Sequence, residues 1–193
     1  MIFVILGSQK NQFNRLLKSL DEQVSSGLIK DELFAQTGYS DYEPKCFKFR
    51  HFLDRDVFMR TVERAELVIT HGGTGAIMSA LKKGKPVIAV PRRFELGEHN
   101  DNHQIEVVSA LADAGIITCC EDTERLAEMI AQVKRQNAGD QAGAPRDAGK
   151  VPEGESLDPG KMPEGKSQNP ASKAYRSGTE NYIREIGDFL KGI

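Results

Sequence analysis

"LVITHGGTGAIM", residues 67–78, sets an apolar run against three glycines in four positions and then turns to helix-forming residues. Read as strand, turn and helix, it leaves N–H groups of the first helical turn without partners, at the positive end of the helix dipole. Such an end suits an anion, commonly a phosphate. Gly72, Gly73 and Gly75 would let a ligand approach the main chain, and Thr74 would cap the helix or donate its hydroxyl to a phosphate oxygen. A tight strand-to-helix turn with a capping threonine accounts for the same residues, and the turn by itself does not choose between the two readings.

Outward from this stretch, apolar runs rich in β-branched and aromatic residues alternate with segments of helical period, the pattern of a parallel sheet with crossover helices. Strands are expected near 2–6, 32–36, 45–50, 67–70, 86–90 and 116–120. A helix near 102–114 carries Ile105, Val108, Leu111 and Ala112 at helical spacing and ends at Gly115, suited to a left-handed C′ position. Right-handed crossovers make this an α/β fold, a Rossmann-like doubly wound parallel sheet. Ligands in such sheets sit beyond the carboxyl ends of the strands, where "HGGTG" falls.

With 26 basic and 28 acidic residues the chain has no broad positive surface, so no nucleic-acid partner is expected. Three cysteines, two of them adjacent at 119 and 120, suit a reduced, cytoplasmic chain with no zinc spacing. The opening "MIFVIL" lacks a basic flank and stops at Gly7, so it reads as a buried strand and not as a signal peptide or membrane span.

The expected domain covers residues 1–136. From 137 to 178 lie five of the eight prolines and seven of the 18 glycines, with few large aliphatics, which predicts a low-complexity, disordered insertion. "PEGES" at 152–156 and "PEGKS" at 163–167 form a weak quasi-repeat of linker composition. In 179–193, Tyr182, Ile183, Ile186, Phe189 and Leu190 fall on one helical stripe that would pack on the domain or on a partner.

Two phosphate-binding patterns fail. "GGTGAIM" places Met78 where a dinucleotide fingerprint needs its third glycine, and neither it nor "LGSQKNQ" carries a P-loop lysine. The second informative stretch is "VPRRFELGEHNDNHQ", residues 90–104, a long polar loop between a strand and a helix. Asp101 and Gln104 fit a capping box, which leaves Glu98, His99, Asn102 and His103 unexplained. His99 and His103 lack the pattern of a helical zinc site, so no metal is expected.

Together, residues 65–111, "AELVITHGGTGAIMSALKKGKPVIAVPRRFELGEHNDNHQIEVVSAL", resemble the C-terminal, donor-binding half of glycosyltransferase family 28. Looser resemblance runs from "IFVILGSQKNQFNRLL" to about residue 135. The similarity is greatest to its free-standing versions, the donor-binding subunits of two-component N-acetylglucosaminyltransferases and of capsule and exopolysaccharide transferases.

The resemblance implies one half of a GT-B enzyme that holds a UDP-sugar as donor substrate and needs no further cofactor. The diphosphate would lie on Gly73, Thr74 and Gly75 after His71 and Gly72, with Asn102, His103 and Gln104 toward the sugar and phosphates. Arg92 and Arg93, at the end of a strand, read either as a solvated basic pair or as charges able to neutralise phosphate. Where the family has a glutamate for the ribose hydroxyls, this chain has Ser79, which cannot offer a carboxylate's bidentate pair. The implied chemistry is metal-free inverting transfer, with Glu98 and His99 as candidate bases or the base supplied by the other half. That half would be a membrane-anchored acceptor-binding glycosyltransferase subunit presenting a polyprenyl-diphosphate-linked sugar, holding this chain peripherally at the cytoplasmic face of a membrane. Two other classes stand beside it: a non-catalytic activating subunit and a nucleotide-sugar epimerase of related fold.

Overall fold

The computed structural model describes residues 1–142. Its six strands are β1 (Ile2–Ile5), β2 (Leu33–Gln36), β3 (Lys48–Arg50), β4 (Leu67–His71), β5 (Val87–Val90) and β6 (Thr118–Cys119). All pair in parallel, in the order β3-β2-β1-β4-β5-β6. The chain steps outward from β1 to β3, then returns to lay β4 on the other side of β1. That reversal is the switch point of a doubly wound sheet, and it opens a crevice between the loops leaving β1 and β4.

Every residue of β1, β4 and β5 is buried, as expected of strands covered on both faces. The covering helices are α1 (Asn14–Ser25), α2 (Arg55–Arg64), α3 (Thr74–Leu81), α4 (His103–Asp113) and α5 (Leu126–Ala142). Alternation along β1 sends Ile2, Val4 and Leu6 into one cluster with Leu16, Leu17 and Leu20 of α1 and Leu126, Ile130 and Val133 of α5. Each such side chain contributes about 1.5–3 kcal/mol relative to exposure. Phe3 points to the opposite face, edge-on to Phe58 of α2 at 5.6 Å.

The expected glycine stop of α4 is present. Gly115 has φ +70, its N–H donates to Ala112 O at 2.9 Å, and the Ile116 N–H donates to Leu111 O at 3.0 Å. These two bonds form a Schellman cap. Helix α5 continues past residue 136, where the change in composition places the end of the domain. The rest of 137–178, and the helical stripe in 179–193, lie outside the described residues. Among the described residues no helix is long and apolar enough to cross a membrane.

Candidate functional site

Strand β4 delivers His71 as its last residue, only 8% exposed, into a slot between two glycines. A Cβ on Gly7, which leaves β1 at φ +81, would lie 2.6 Å from the ring's Cε1 and Nε2, and one on Gly73 would collide with Nε2. His71 Nδ1 lies 3.3 Å from the Ile5 carbonyl, which also accepts from Thr70 Oγ1 at 3.1 Å. In a neutral ring this contact assigns the proton to Nδ1 and leaves Nε2 an acceptor. Burial, and then the positive charge of Arg92, push the His71 pKa down to about 4. The ring is therefore uncharged at neutral pH and adds no charge of its own to the pull of the α3 N-terminus on an anion.

The three glycines of the turn serve different purposes. A Cβ on Gly72 would meet Gln104 Cβ at 2.7 Å and Val108 Cγ2 at 2.9 Å, so its bareness lets α4 pack on the end of β4. Gly73 makes room for His71. Gly75 has nothing within 4 Å of where its Cβ would stand, so no packing among the described residues explains it. The N-cap of α3 is Gly73, and Thr74 is the first helical residue, which corrects the capping expected of Thr74. Ser79 donates its hydroxyl to Gly75 O, 2.7 Å away and one turn back. With its proton used inside the helix, it would meet a ribose hydroxyl as an acceptor.

Gln104 is 4% exposed, and its Oε1 accepts from the Gly72 N–H at 3.1 Å and the Arg92 N–H at 3.3 Å. It pins together the ends of β4 and β5. The capping box expected of Asp101 and Gln104 does not form: Asp101 Oδ1 accepts from the His103 N–H at 3.0 Å and lies 3.0 Å from His99 Nδ1. Asn102 is held by its own loop, accepting from the Phe94 N–H at 3.0 Å and donating to Glu95 Oε1 at 2.7 Å. Burial lowers the pKa of His103, against the opposing charges of Asp101 and Glu106. His99, in the loop after β5, lies within electrostatic reach of both His71 and His103.

Two further expectations need correction. Glu98, a candidate base, is 1% exposed and accepts from Arg15 Nε and Nη2 at 3.0 and 2.9 Å and from the Arg93 N–H at 3.0 Å. A carboxylate so committed tethers its loop to α1 and is not poised to take a proton. Arg92 is neither a solvated charge nor a phosphate ligand. It is 1% exposed, and its guanidinium donates to Leu6 O at 2.6 Å, Asn11 O at 2.8 Å and Glu98 O at 2.9 Å while lying 5.1 Å from the centre of the Phe13 ring. Burial lowers its pKa to about 10, partly offset by Glu98, so it keeps its charge.

Gly7, Phe13 and Arg15 form the frame of the site without having been singled out from sequence. The adjacency of β1 and β4 was the signal that could have found Gly7. A hollow of about 550 Å³ lined by Phe34, Phe47, Phe49, Leu53 and Val57 lies along β3, separated from the glycine turn by β2 and β1. Among the described residues no group of three or more His, Cys, Asp or Glu is placed to hold a metal.

A parallel sheet of this order, with a glycine turn and helix N-terminus at its switch point, defines the class: a Rossmann-like α/β domain. Residues 1–151 match the glycosyltransferase family 28 C-terminal domain, and the chain belongs to that family. It is 31% identical over 103 residues to the UDP-N-acetylglucosamine transferase subunit ALG13 of Mus musculus, a match covering 51% of this chain and 8% of that protein. The Homo sapiens protein of the same name is 30% identical over 128 residues, 62% of this chain and 11% of that protein. The chain thus spans a small fraction of the length of these relatives. Among solved structures it is similar to a glycotransferase of kitacinnamycin (TM-score 0.51, 19% identity, 72% of this chain and 36% of that one). It is also similar to the glycosyltransferase SnogD from Streptomyces nogalater (TM-score 0.50, 22% identity, 68% of this chain and 34% of that one). Both likenesses cover about a third of the solved chain, and the fold is one Rossmann-like half of the GT-B architecture.

Proposed function

We propose that the chain is the donor-binding, catalytic subunit of a two-component inverting glycosyltransferase, moving a hexose from a UDP-sugar to a lipid-linked acceptor in polysaccharide or glycan biosynthesis. The observation that carries this reading is Gly75, bare and open on the first turn of α3 at the switch point, beside two glycines whose bareness internal packing explains. The diphosphate would sit on the amides at the start of α3, drawn by the helix end. An acceptor hydroxyl would attack the anomeric carbon while those amides stabilise the leaving UDP, with no covalent intermediate.

His99 remains the candidate base on this chain, and with Glu98 tied to Arg15 the alternative is a base on the partner. The partner would be a membrane-anchored acceptor-binding subunit that offers a polyprenyl-diphosphate-linked sugar and holds this chain at the cytoplasmic face. Large apolar side chains support a partner on that edge. Tyr39, Phe52, Phe94 and Leu96 are 51%, 48%, 55% and 48% exposed, and all lie in loops that follow the carboxyl ends of β2, β3 and β5.

The test is to isolate the full chain with its membrane fraction and supply labelled UDP-sugars singly, UDP-N-acetylglucosamine first. Label is expected in a lipid-extractable product with one donor. UDP binding without transfer in the reconstituted complex of wild-type subunits would leave a non-catalytic, activating subunit, the reading that the engagement of Glu98 favours. No binding of any UDP-sugar would remove both.

A further inference from the structure

We propose that Arg92 is a positioning residue of the candidate donor site, its buried guanidinium fastening the loop that carries His99, Asn102 and His103 to the loop after β1, so that His71 and the glycine turn are held between them. This rests on the donor-binding reading for its functional half and on geometry alone for its structural half.

Three carbonyls receive the guanidinium. Leu6 O lies just past β1, Asn11 O lies in the following loop, and Glu98 O lies midway through the loop after β5. A planar fork can reach three carbonyls on different segments at once, and an ammonium on a flexible stem cannot do so in the same geometry. The residue is held from below as well. Phe13 lies under Arg92 at 5.1 Å and under Arg15 at 5.4 Å, and Arg15 grips the Glu98 carboxylate and donates to Pro91 O at 3.1 Å. The Arg92 backbone N–H bonds Gln104, which in turn bonds the Gly72 N–H. A single residue thus ties four pieces of backbone around the turn: the end of β1, its loop, the loop after β5 and, through Gln104, the end of β4.

Burying a guanidinium is costly unless its donors are met, so packing alone would favour an apolar residue here. The cost is borne where it fixes loop geometry beside an anion site. The charge has a second consequence at His71. The charged and titratable groups that act on that ring are Arg92 from the end of β5 and His99 from the following loop, and Arg92 disfavours its protonation.

The experiment uses the full chain and three variants, with UDP as the probe. Arg92→Lys keeps the charge and loses the fork, Arg92→Met loses both, and Phe13→Leu disturbs the ring beneath. Amide exchange across 92–102 should accelerate about tenfold or more in Arg92→Lys, as expected when hydrogen bonds to a charged group are lost. UDP affinity should fall by about tenfold in the same variant. His71, followed by its imidazole resonances, should titrate at higher pH in Arg92→Met and stay low in Arg92→Lys. Exchange unchanged in Arg92→Lys would overturn the proposal. So would unchanged UDP affinity in a variant whose loop has loosened, or an Arg92→Lys chain that fails to fold, since the residue would then serve stability and not the site. Wild-type chain that binds no UDP, with the exchange result as expected, would instead remove the donor reading and leave the fastening in place.

Discussion

The imidazole of His71 occupies the space that a side chain at Gly73 would need, and the same ring fills the space beside Gly7. Two glycines from different loops are therefore explained by one histidine, whereas Gly75 faces open space. That contrast separates residues that shape the turn from the residue that leaves it open to a ligand.

Gly75→Ala follows directly. Replacing an exposed glycine on a helix by alanine should stabilise the fold by about 0.5–1 kcal/mol. The added methyl should at the same time obstruct the start of α3 and weaken UDP binding. Urea unfolding and calorimetry on one preparation check both signs, and a variant that is more stable with unchanged affinity would place the diphosphate elsewhere. Gly73→Val is a poorer probe, because it displaces His71 as well.

Gln104→Ala should cost about 2–4 kcal/mol, because it leaves the buried N–H groups of Gly72 and Arg92 without their acceptor. Gln104→Glu, which returns an acceptor beside the positive charge of Arg92, should recover most of that loss. Equal stability of the alanine variant and the wild type in urea would show that the Gln104 bonds are not formed in solution.

Glu98→Gln should destabilise the chain by about 3 kcal/mol, the low end for a broken buried ion pair because Arg15 partly reaches water. A catalytic base replaced in the same way would leave stability intact and abolish transfer. Thermal unfolding beside an activity assay with the partner present distinguishes the two.

The sheet was legible because strands buried on both faces carry continuous apolar runs, and "IFVI", "LVI" and "VIAV" are such runs. The stop of α4 at Gly115 was legible for a local reason, since a left-handed residue after a helix favours glycine. What escaped was the polar loop. Glu98 was read as a candidate base, Arg92 as a charge for phosphate and Gln104 as a capping or donor-contacting residue, yet their partners lie at Arg15, Leu6 and Gly72, far away in sequence and near only once β1, β4 and β5 are adjacent. The spacing of Asp101 and Gln104 matched a capping box, but a spacing carries no information about a competing donor such as the Gly72 N–H.

His71 also sets a pH dependence. Its folded pKa, about 4, lies below the ordinary 6.5, so the unfolded chain takes up the proton first. The linked stability is complete above pH 6.5 and is lost as pH falls from there toward 4, by at most roughly 3 kcal/mol. His103, lowered by burial, acts in the same direction. Asp21, whose burial is outweighed by N–H bonds from Lys45 and Cys46, has its carboxyl below 3.8 and contributes its loss only under that window. Urea midpoints from pH 7 to 4 should fall in the wild type and fall less in His71→Asn.

Backbone amide shifts of the full chain during titration with UDP test most directly whether the glycine turn holds the donor. The largest changes should fall on Gly73, Thr74, Gly75 and Ala76, with smaller ones at His103 and Gln104. Saturation with the largest changes elsewhere, such as along β3, or no change at millimolar UDP, would contradict the assignment.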